Sequence, residues 1–434
     1  MMRSPPSPNV ESHVSTQIRT ARRRAMSRSL VGKALRAKPA VWEQPACALA
    51  QQQRSFTQKA SSSEKYVHLF DEPSNTRLRK IFDDIQRYII LPSHMKSRHR
   101  VRVFDKREKV RTGIRKDPVY VAVDDVEFKY GEHIPGRDIP NAREMTWKAL
   151  KQFKTQADWD NFGRLLAGMR RAKRRYDDVD YAKMVRIAGT KGHIYTILEA
   201  ARQVRKTGFK LDTSEKVNHL LHFIQMRAIE SGWEKEKTEQ ALRWAEMVVE
   251  MVEDPLHKPA PNPAVPAEQR MRWPLWEDPQ VLGAALHLAA VNAVKHNGGE
   301  DVGGKVRKYA EQVVKRWPAG RGLRNLHPKG AYHNRMSGVA YLSESRTQYL
   351  CVAAPILHGL LLATRVVEKP LADKLQAIAN GLAPEVNRQV AIKQYPARRG
   401  MATYEMLFKT PVKAEEAKVE DAEAKQAESE EVKA

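Results

Sequence analysis

Residues 299–305 have the spacing of a phosphate-binding loop, in which Gly299 and Gly304 enclose four residues and Lys305 follows. In such loops backbone N–H groups hold the phosphates, the lysine reaches them, and a serine or threonine after it binds the metal ion. Val306 occupies that last position, and no strand pattern precedes the segment. We therefore expect residues 299–305 to form a turn between two helices.

Histidines and acidic residues also fail to form a recognisable site. His219 and His222 would share one face of a helix, but no carboxylate or cysteine at a suitable spacing completes a metal site, so we interpret both as packing residues. The acidic pairs that begin at Asp83, Asp124 and Asp177 lie in polar contexts, where helix caps and salt bridges explain them. From the sequence we therefore predict that the protein is not an enzyme and that it binds no cofactor, metal ion or small-molecule substrate.

The overall charge points to a polyanionic partner. The chain has 434 residues, with 76 lysines and arginines against 51 acidic residues, and a formal net charge of +25. Nucleic acid, an acidic protein and an anionic membrane surface would each satisfy such a charge. Membrane insertion is not expected, because the most apolar stretch, residues 351–367, is short for a membrane span and contains Pro355, His358 and Arg365. We predict a core helix there, in which Cys351 is buried.

Residues 1–56 resemble a mitochondrial transit peptide, since arginine is frequent and only Glu11 and Glu43 are acidic. The segment Arg54–Thr57 resembles the processing sites of fungal mitochondrial leaders, so we expect the mature protein to begin near Thr57 and to reside in the mitochondrial matrix. The alternative is a basic arm that binds RNA directly.

Charge remains after the leader is removed. Residues 1–59 carry +9 and residues 411–434 carry −4, which leaves +20 for the rest of the chain. Basic residues cluster in three places: an irregular run from Lys96 to Lys116, a stretch of helical pattern around residues 170–175, and a glycine-rich connector at residues 318–338. We predict RNA phosphate contacts for Lys96, Arg98, Arg100, Arg102, Lys106, Arg107, Arg170, Arg171, Lys173, Arg174, Arg175, Arg321, Arg324 and Arg335. For the run from Lys96 to Lys116, the alternative is a solvated loop.

Helical periodicity runs through most of the remaining sequence. Apolar residues recur at steps of three and four in Arg77–Leu91, which we expect Pro92 to end, and throughout residues 141–253. Five prolines in Pro255–Pro266 predict a linker or surface loop. Beyond it we predict helices over residues 279–295, 302–317, 346–367 and 371–390. Val119–Val123 is the only clear strand pattern.

The segment Val179–Asp212 resembles a pentatricopeptide repeat. The likeness lies in the apolar positions of two short helices, in Gly192 at the turn between them, and in Gly208 at the exit. The resemblance implies a helical hairpin that must stack on neighbours to bury its faces, as in a solenoid. In RNA-reading members of this family, the base-reading positions match Ala182, Asp212 and Asn218. Because Ala182 has no hydrogen-bonding group, we expect phosphate binding rather than base reading.

We therefore predict an all-α fold, a degenerate solenoid of pentatricopeptide-like hairpins with a basic N-terminal segment and a disordered tail. The predicted divisions of the chain are a leader at 1–56, a basic extension at 57–140, repeats at 141–254, a proline-rich linker at 255–275, a helical domain at 276–395 and a charged tail at 396–434.

The combination of a leader, a modified repeat core, basic extensions and a charged tail resembles fungal mitochondrial ribosomal proteins. This resemblance implies a structural constituent of the mitochondrial ribosome, with the large subunit marginally favoured, which contacts ribosomal RNA and other mitochondrial ribosomal proteins. The alternative is a free RNA-binding factor for mitochondrial RNA processing or translation. A third possibility is an enzyme or a respiratory assembly factor with an unrecognised site.

Overall fold

Helices account for most of the residues that the computed structural model describes, which are 69–95, 97–104, 119–123, 126–130, 139–259, 263–335, 338–392 and 398–408. The predicted helical fold class is confirmed for these residues, with one two-stranded sheet beside the helices. The predicted leader at residues 1–56 and residues 409–434 of the predicted tail lie outside the described part.

The described chain begins with α1 (Thr76–Ile85), which continues through a π-helical turn (Gln86–Ile90) into α2 (Leu91–His94). The expectation that Pro92 ends this helix was wrong. Pro92 lies inside this run of helical residues, which ends two residues later at His94. Next, α3 (Ser97–Phe104) occupies part of the basic run that was predicted to be irregular, so that prediction was also wrong for these residues.

A β-hairpin separates these helices from the main helical region. β1 (Val119–Val123) confirms the predicted strand, and it pairs antiparallel with β2 (Val126–Tyr130), which the sequence analysis did not predict. The buried Tyr130 donates its hydroxyl proton to the backbone oxygen of Arg87 over 3.0 Å. This bond holds the hairpin against the π-helical turn.

Five helices then follow in close succession: α4 (Ala142–Gln152), α5 (Gln156–Arg171), α6 (Asp178–Thr190), α7 (Ile194–Arg202) and α8 (Val204–Thr207). Their starts are set by local side chains. Asn141 caps α4, while Thr155 with Asp158 and Asp177 with Asp180 form capping boxes at the starts of α5 and α6.

The segment that resembles a pentatricopeptide repeat forms a helical hairpin, as predicted. Gly192 joins α6 to α7 with φ of +80°, and Gly208 ends α8 with φ of +76°. Both values lie in the left-handed region that glycine adopts without strain. Met184 of α6 and Leu198 of α7 are buried in the core between the helices. The stacking of such hairpins into a repeat solenoid stays a prediction.

Two long hairpins make up the centre of the molecule. They consist of α9 (Ser214–Glu230) with α10 (Lys235–Glu253), and of α11 (Pro279–His296) with α12 (Lys305–Arg316). Between the hairpins lie short 3₁₀ turns at Pro255–His257, Ala267–Gln269 and Leu275–Glu277. Although the proline-rich segment separates them in sequence, α10 packs directly against α11.

The glycine-rich connector is part of the core. It contains 3₁₀ turns at Leu323–Asn325 and Lys329–Tyr332, and it buries Leu323, Leu326 and Tyr332. The sequence predicts residues 318–338 as a basic connector that contacts RNA, but much of the described part of this segment is packed in the core. Apolar side chains without helical or strand periodicity bring the connector against the neighbouring helices.

The last helices are α13 (Ala340–Glu344), α14 (Arg346–Ala363), α15 (Lys369–Ala391) and α16 (Arg398–Leu407). α14 is the central element of this part, since α11, α15 and α16 all pack against it. Its Gly359 lies so close to α11 that a Cβ atom there would come within 2.6 Å of the Cα of His287. α16 falls in the segment predicted to be a disordered tail from residue 396, so the tail prediction was wrong for Arg398–Leu407.

Candidate nucleic-acid interface

A group of basic residues lies where α5 ends and α8 packs against it. Arg170 donates to the backbone oxygen of Val204 and so ties the two helices together. Lys173 adopts φ of +56°, and the N–H of Arg174 then bonds to the oxygen of Met169 over 2.9 Å, which closes the end of α5. This turn leaves the following basic side chains exposed to solvent.

We call the exposed cations at this place the basic end face, which consists of Arg171, Lys173, Arg174, Arg175, Arg205 and Lys206. The first four were predicted as RNA contacts from the sequence, whereas Arg205 and Lys206 were noted only as basic helical residues, and the contact between α5 and α8 brings the two helices together here. Basic residues in the last turn of a helix also interact favourably with its dipole, which explains part of the cluster in α5.

The acidic residues near the basic end face already have cationic partners. Arg143 pairs with Asp180 at 2.6 Å and with Asp177 at 3.4 Å. The ammonium group of Lys216 pairs with Asp178 at 2.7 Å and with Asp212. Within the described residues, none of the basic end face has a carboxylate at ion-pair distance, so its charge is available to an external anion.

The positions that match base-reading residues are buried or occupied. Ala182 is fully buried, and Asp212 binds the buried Lys216. Asn218 is 3% exposed and donates its side-chain amide to the Gln280 side-chain oxygen at 3.1 Å and to the Tyr341 hydroxyl at 2.7 Å. These contacts belong to the protein core, and they leave no group at these positions to read a base.

The other predicted RNA contacts differ in their availability. Arg98, Arg100 and Arg321 are exposed, whereas Lys96, Lys106, Arg107 and the side chain of Arg102 lie outside the described residues. Arg324 lies 4.8 Å from the centre of the Tyr349 ring and donates to the backbone oxygen of Leu342. Its guanidinium group is therefore engaged in contacts within the protein. Arg335 is exposed but pairs with Glu344 at 2.6 Å.

The two groups that could suggest catalysis or metal binding have structural roles. Residues 299–305 form a helix-to-helix turn, as expected, in which Asp301 accepts from the N–H groups of Val306 and Arg307 at the start of α12. His222 bonds through Nδ1 to the backbone oxygen of Cys351 at 3.1 Å, and burial lowers the pKa of His222 to about 3. In the described part of the chain no cluster of histidine, cysteine and acidic residues fits a metal ion.

Cys351 is buried, as expected, and burial raises the pKa of its thiol to about 12. A thiol with such a pKa is poorly nucleophilic. None of the described helices is long and apolar enough to span a membrane.

Comparison with known proteins identifies the family. The sequence pattern of the family described as "Mitochondrial ribosomal protein mS27" matches residues 54–408. The chain belongs to the mS27 family of mitochondrial ribosomal proteins. The small ribosomal subunit protein mS27 of Neurospora crassa is 31% identical over 376 residues, which covers 82% of this chain and 93% of that relative.

Membership of the mS27 family confirms several predictions made from the sequence. The resemblance to fungal mitochondrial ribosomal proteins is confirmed, and so is the matrix localisation. As a mitochondrial ribosomal protein the chain is a structural constituent of the ribosome and not an enzyme. The lean towards the large subunit finds no support, because the Neurospora relative is named as a protein of the small subunit.

Proposed function

We propose that this mS27 family member is a structural constituent of the small subunit of the mitochondrial ribosome, where its basic end face binds ribosomal RNA phosphates. The name of the Neurospora relative supports the choice of subunit. The observation that carries the RNA contact is the pairing of the local acidic residues with Arg143 and Lys216, which leaves the basic end face without internal partners.

Phosphate binding suits this surface better than sequence reading. Arginine side chains bind phosphates through charge and a planar set of donors, and such contacts position a protein without selecting a sequence. The core location of Ala182 and Asn218 agrees with this mode of binding. The association should therefore depend strongly on salt and weakly on RNA sequence.

The basic end face can be tested by replacing Arg171, Arg174 and Arg175 with glutamine. Arg170 is left intact because its bond to Val204 connects α5 to α8. Affinity for structured RNA, measured by filter binding across a salt series, should fall. The slope of log affinity against log salt should decrease by about 0.7 to 0.9 for each lost phosphate contact.

The matched control replaces three exposed cations of α15 that lie far from this face in sequence, namely Lys369, Lys374 and Arg388. This triple variant changes the net charge equally and should leave the salt slope close to that of the unmodified chain.

In a lysate gradient the tagged protein should sediment with the small subunit, and the Arg171, Arg174 and Arg175 variant should do so less completely. Equal effects of the two triple variants would contradict a specific face.

If the chain were instead a free RNA-binding factor, the same measurements should give different results. A free factor would remain outside ribosomal fractions and would bind one single-stranded sequence tightly, with little dependence on salt. Replacing Asn218 or Asp212 would then abolish binding, although both residues have partners inside the protein.

A further inference from the structure

A groove of about 670 Å³ lies at the opposite end of the hairpin from the basic end face. The turn between α6 and α7 borders it, together with residues of α9 and α16 and one residue of α10. The basic end face adjoins the start of α6, whereas the groove adjoins its end. Since α6 has 13 residues and is about 20 Å long, the two surfaces are separate.

The groove has an apolar floor. Ile194 from the start of α7 and Phe223 and Met226 from α9 line it. Gly192 borders the groove with open space around the position that a Cβ atom would take. A partner can therefore approach the backbone closely at this turn and cover the apolar side chains.

Two arginines on the groove are held in place by aromatic rings. The guanidinium group of Arg227 lies 5.1 Å from the centre of the Trp244 ring, and that of Arg399 lies 5.1 Å from the centre of the Phe223 ring. The Nε atom of Arg227 is buried and has no acceptor among the described residues. By contrast, Lys237 at the same groove is already paired with Glu234 at 2.7 Å.

Glu230 also lines the groove, but within the part of the chain that is described neither Arg227 nor Arg399 has a carboxylate at ion-pair distance. A guanidinium group presents its N–H donors as a planar fork that matches a carboxylate. Because the rings restrict both side chains before binding, little side-chain entropy is lost when an anion arrives. The pair is therefore a preorganised site for an acidic group.

We propose that this groove binds a short acidic segment of a neighbouring protein, with a carboxylate on Arg227 and Arg399 and an apolar side chain on the floor. Single-stranded RNA fits less well, because bases need an exposed aromatic face for stacking, whereas Phe223 and Trp244 are buried and each has a guanidinium group over its ring. The inference goes beyond the proposed RNA contact, which uses other residues at the other end of the hairpin.

Binding of a defined probe tests the proposal with the full chain. The probe is a fluorescein-labelled peptide of glutamate with two leucines, and the control probe has glutamine in place of glutamate. Fluorescence anisotropy should show that the chain binds only the acidic probe. Arg227→Gln and Arg399→Gln should each weaken binding about tenfold, as loss of a hydrogen bond to a charged group implies.

Arg243→Gln is the matched control, because Arg243 lies on α10 outside the groove and its side chain is 64% exposed. It should leave peptide binding unchanged. Circular dichroism reports whether each variant folds. If Arg227→Gln does not fold, the peptide affinity of Arg399→Gln alone tests the proposal. Equal binding of both probes, or no loss in the folded groove variants, would overturn the proposal.

Two further experiments test whether the groove binds a segment of a neighbouring protein. Replacing Glu415, Glu416, Glu420 and Asp421 by the corresponding amides in the full chain should not change peptide affinity, and a gain would assign the groove to the chain's own C-terminal segment instead. A photo-crosslinking residue at Thr190, which lines the groove, should form an adduct with an acidic protein segment in purified ribosomes. That adduct should disappear in Arg399→Gln, while an adduct to ribosomal RNA, or none, would refute the proposal.

Discussion

Asp158 shows how one buried carboxylate joins the N-terminal segment to the helical region. It is fully buried and accepts from the Ser74 N–H at 2.8 Å, from the Ser74 hydroxyl at 2.7 Å, and from the N–H groups of Lys154 and Thr155. Burial by itself raises the pKa of Asp158, but these hydrogen bonds outweigh it and lower the pKa to about 2. The charged form is therefore the one that stabilises the fold.

We expect Asp158→Asn to reduce the free energy of unfolding by about 2 kcal/mol at neutral pH, as a shift of that size implies. Because the folded-state pKa is depressed, this contribution is complete above the unfolded value of about 4 and is lost as the pH falls towards 2. Urea denaturation at a series of pH values would measure it. The difference between the unmodified chain and Asp158→Asn should shrink in acid, and a constant difference would contradict the role of the charge.

The sequence indicated which arginines were candidates for RNA contacts, but it did not show which of them are free to bind an external phosphate. Arg171 and Arg324 look alike in the sequence, yet Arg171 is exposed while Arg324 stacks on Tyr349 inside the molecule. The difference depends on helices that are distant in sequence, since Tyr349 reaches Arg324 only through tertiary packing. Asn218, which the repeat resemblance placed at a reading position, is part of the core for the same reason.

At the scale of elements, the α6 and α7 hairpin is stabilised mainly by the packing of its two apolar faces. Leu198 is fully buried there, so Leu198→Ala should cost about 2 to 5 kcal/mol of stability through lost burial and a residual cavity. Thermal or urea denaturation followed by circular dichroism would measure the loss. Tyr195→Ala is a useful comparison, because Tyr195 on the same helix is 47% exposed and should cost much less. A loss at Leu198 no larger than at Tyr195 would argue against the described packing.

Helices with an amphipathic period were predictable from sequence, whereas those without one were not. α5, α6 and α9 place apolar residues at steps of three and four, and glycines mark where α6 and α8 end. α3 has only Val101, Val103 and Phe104 among basic residues, so its pattern resembles a solvated extension. α16 buries little beyond Tyr404 and Thr403 against α14 and α9, and its position became evident only from that packing.

At the scale of the whole molecule, hydrogen bonds cross the proline-rich segment that sequence analysis treated as a domain linker. Asn218 of α9 bonds to Gln280 of α11 and to Tyr341 of α13, and Ser214 bonds to the same tyrosine at 2.9 Å. All four side chains are buried. The predicted division at residues 255–275 therefore separates segments that share one core.

This shared core should make the described helices unfold together. We expect a single calorimetric transition for the chain, and Asn218→Ala should lower stability by about 1 to 3 kcal/mol because it leaves buried polar partners unsatisfied. Differential scanning calorimetry would measure both effects, and the variant should still unfold in one step. Asn380→Ala, at an exposed position of α15, is the control for a polar substitution outside the core. Two separated transitions would support independent domains on either side of the linker.

The long sequence separation of these contacts has a consequence for how a matrix protein reaches its native state. His222 contacts the backbone of Cys351, 129 positions later, and Met226 lies beside Thr403, 177 positions later. If the predicted leader directs import, the amino end enters the matrix first and α9 arrives long before α14 and α16. The apolar side of α9 then has no native cover until almost the whole chain has arrived. Import of this protein should consequently depend on matrix chaperones that bind exposed apolar segments and delay collapse until the last helix has entered.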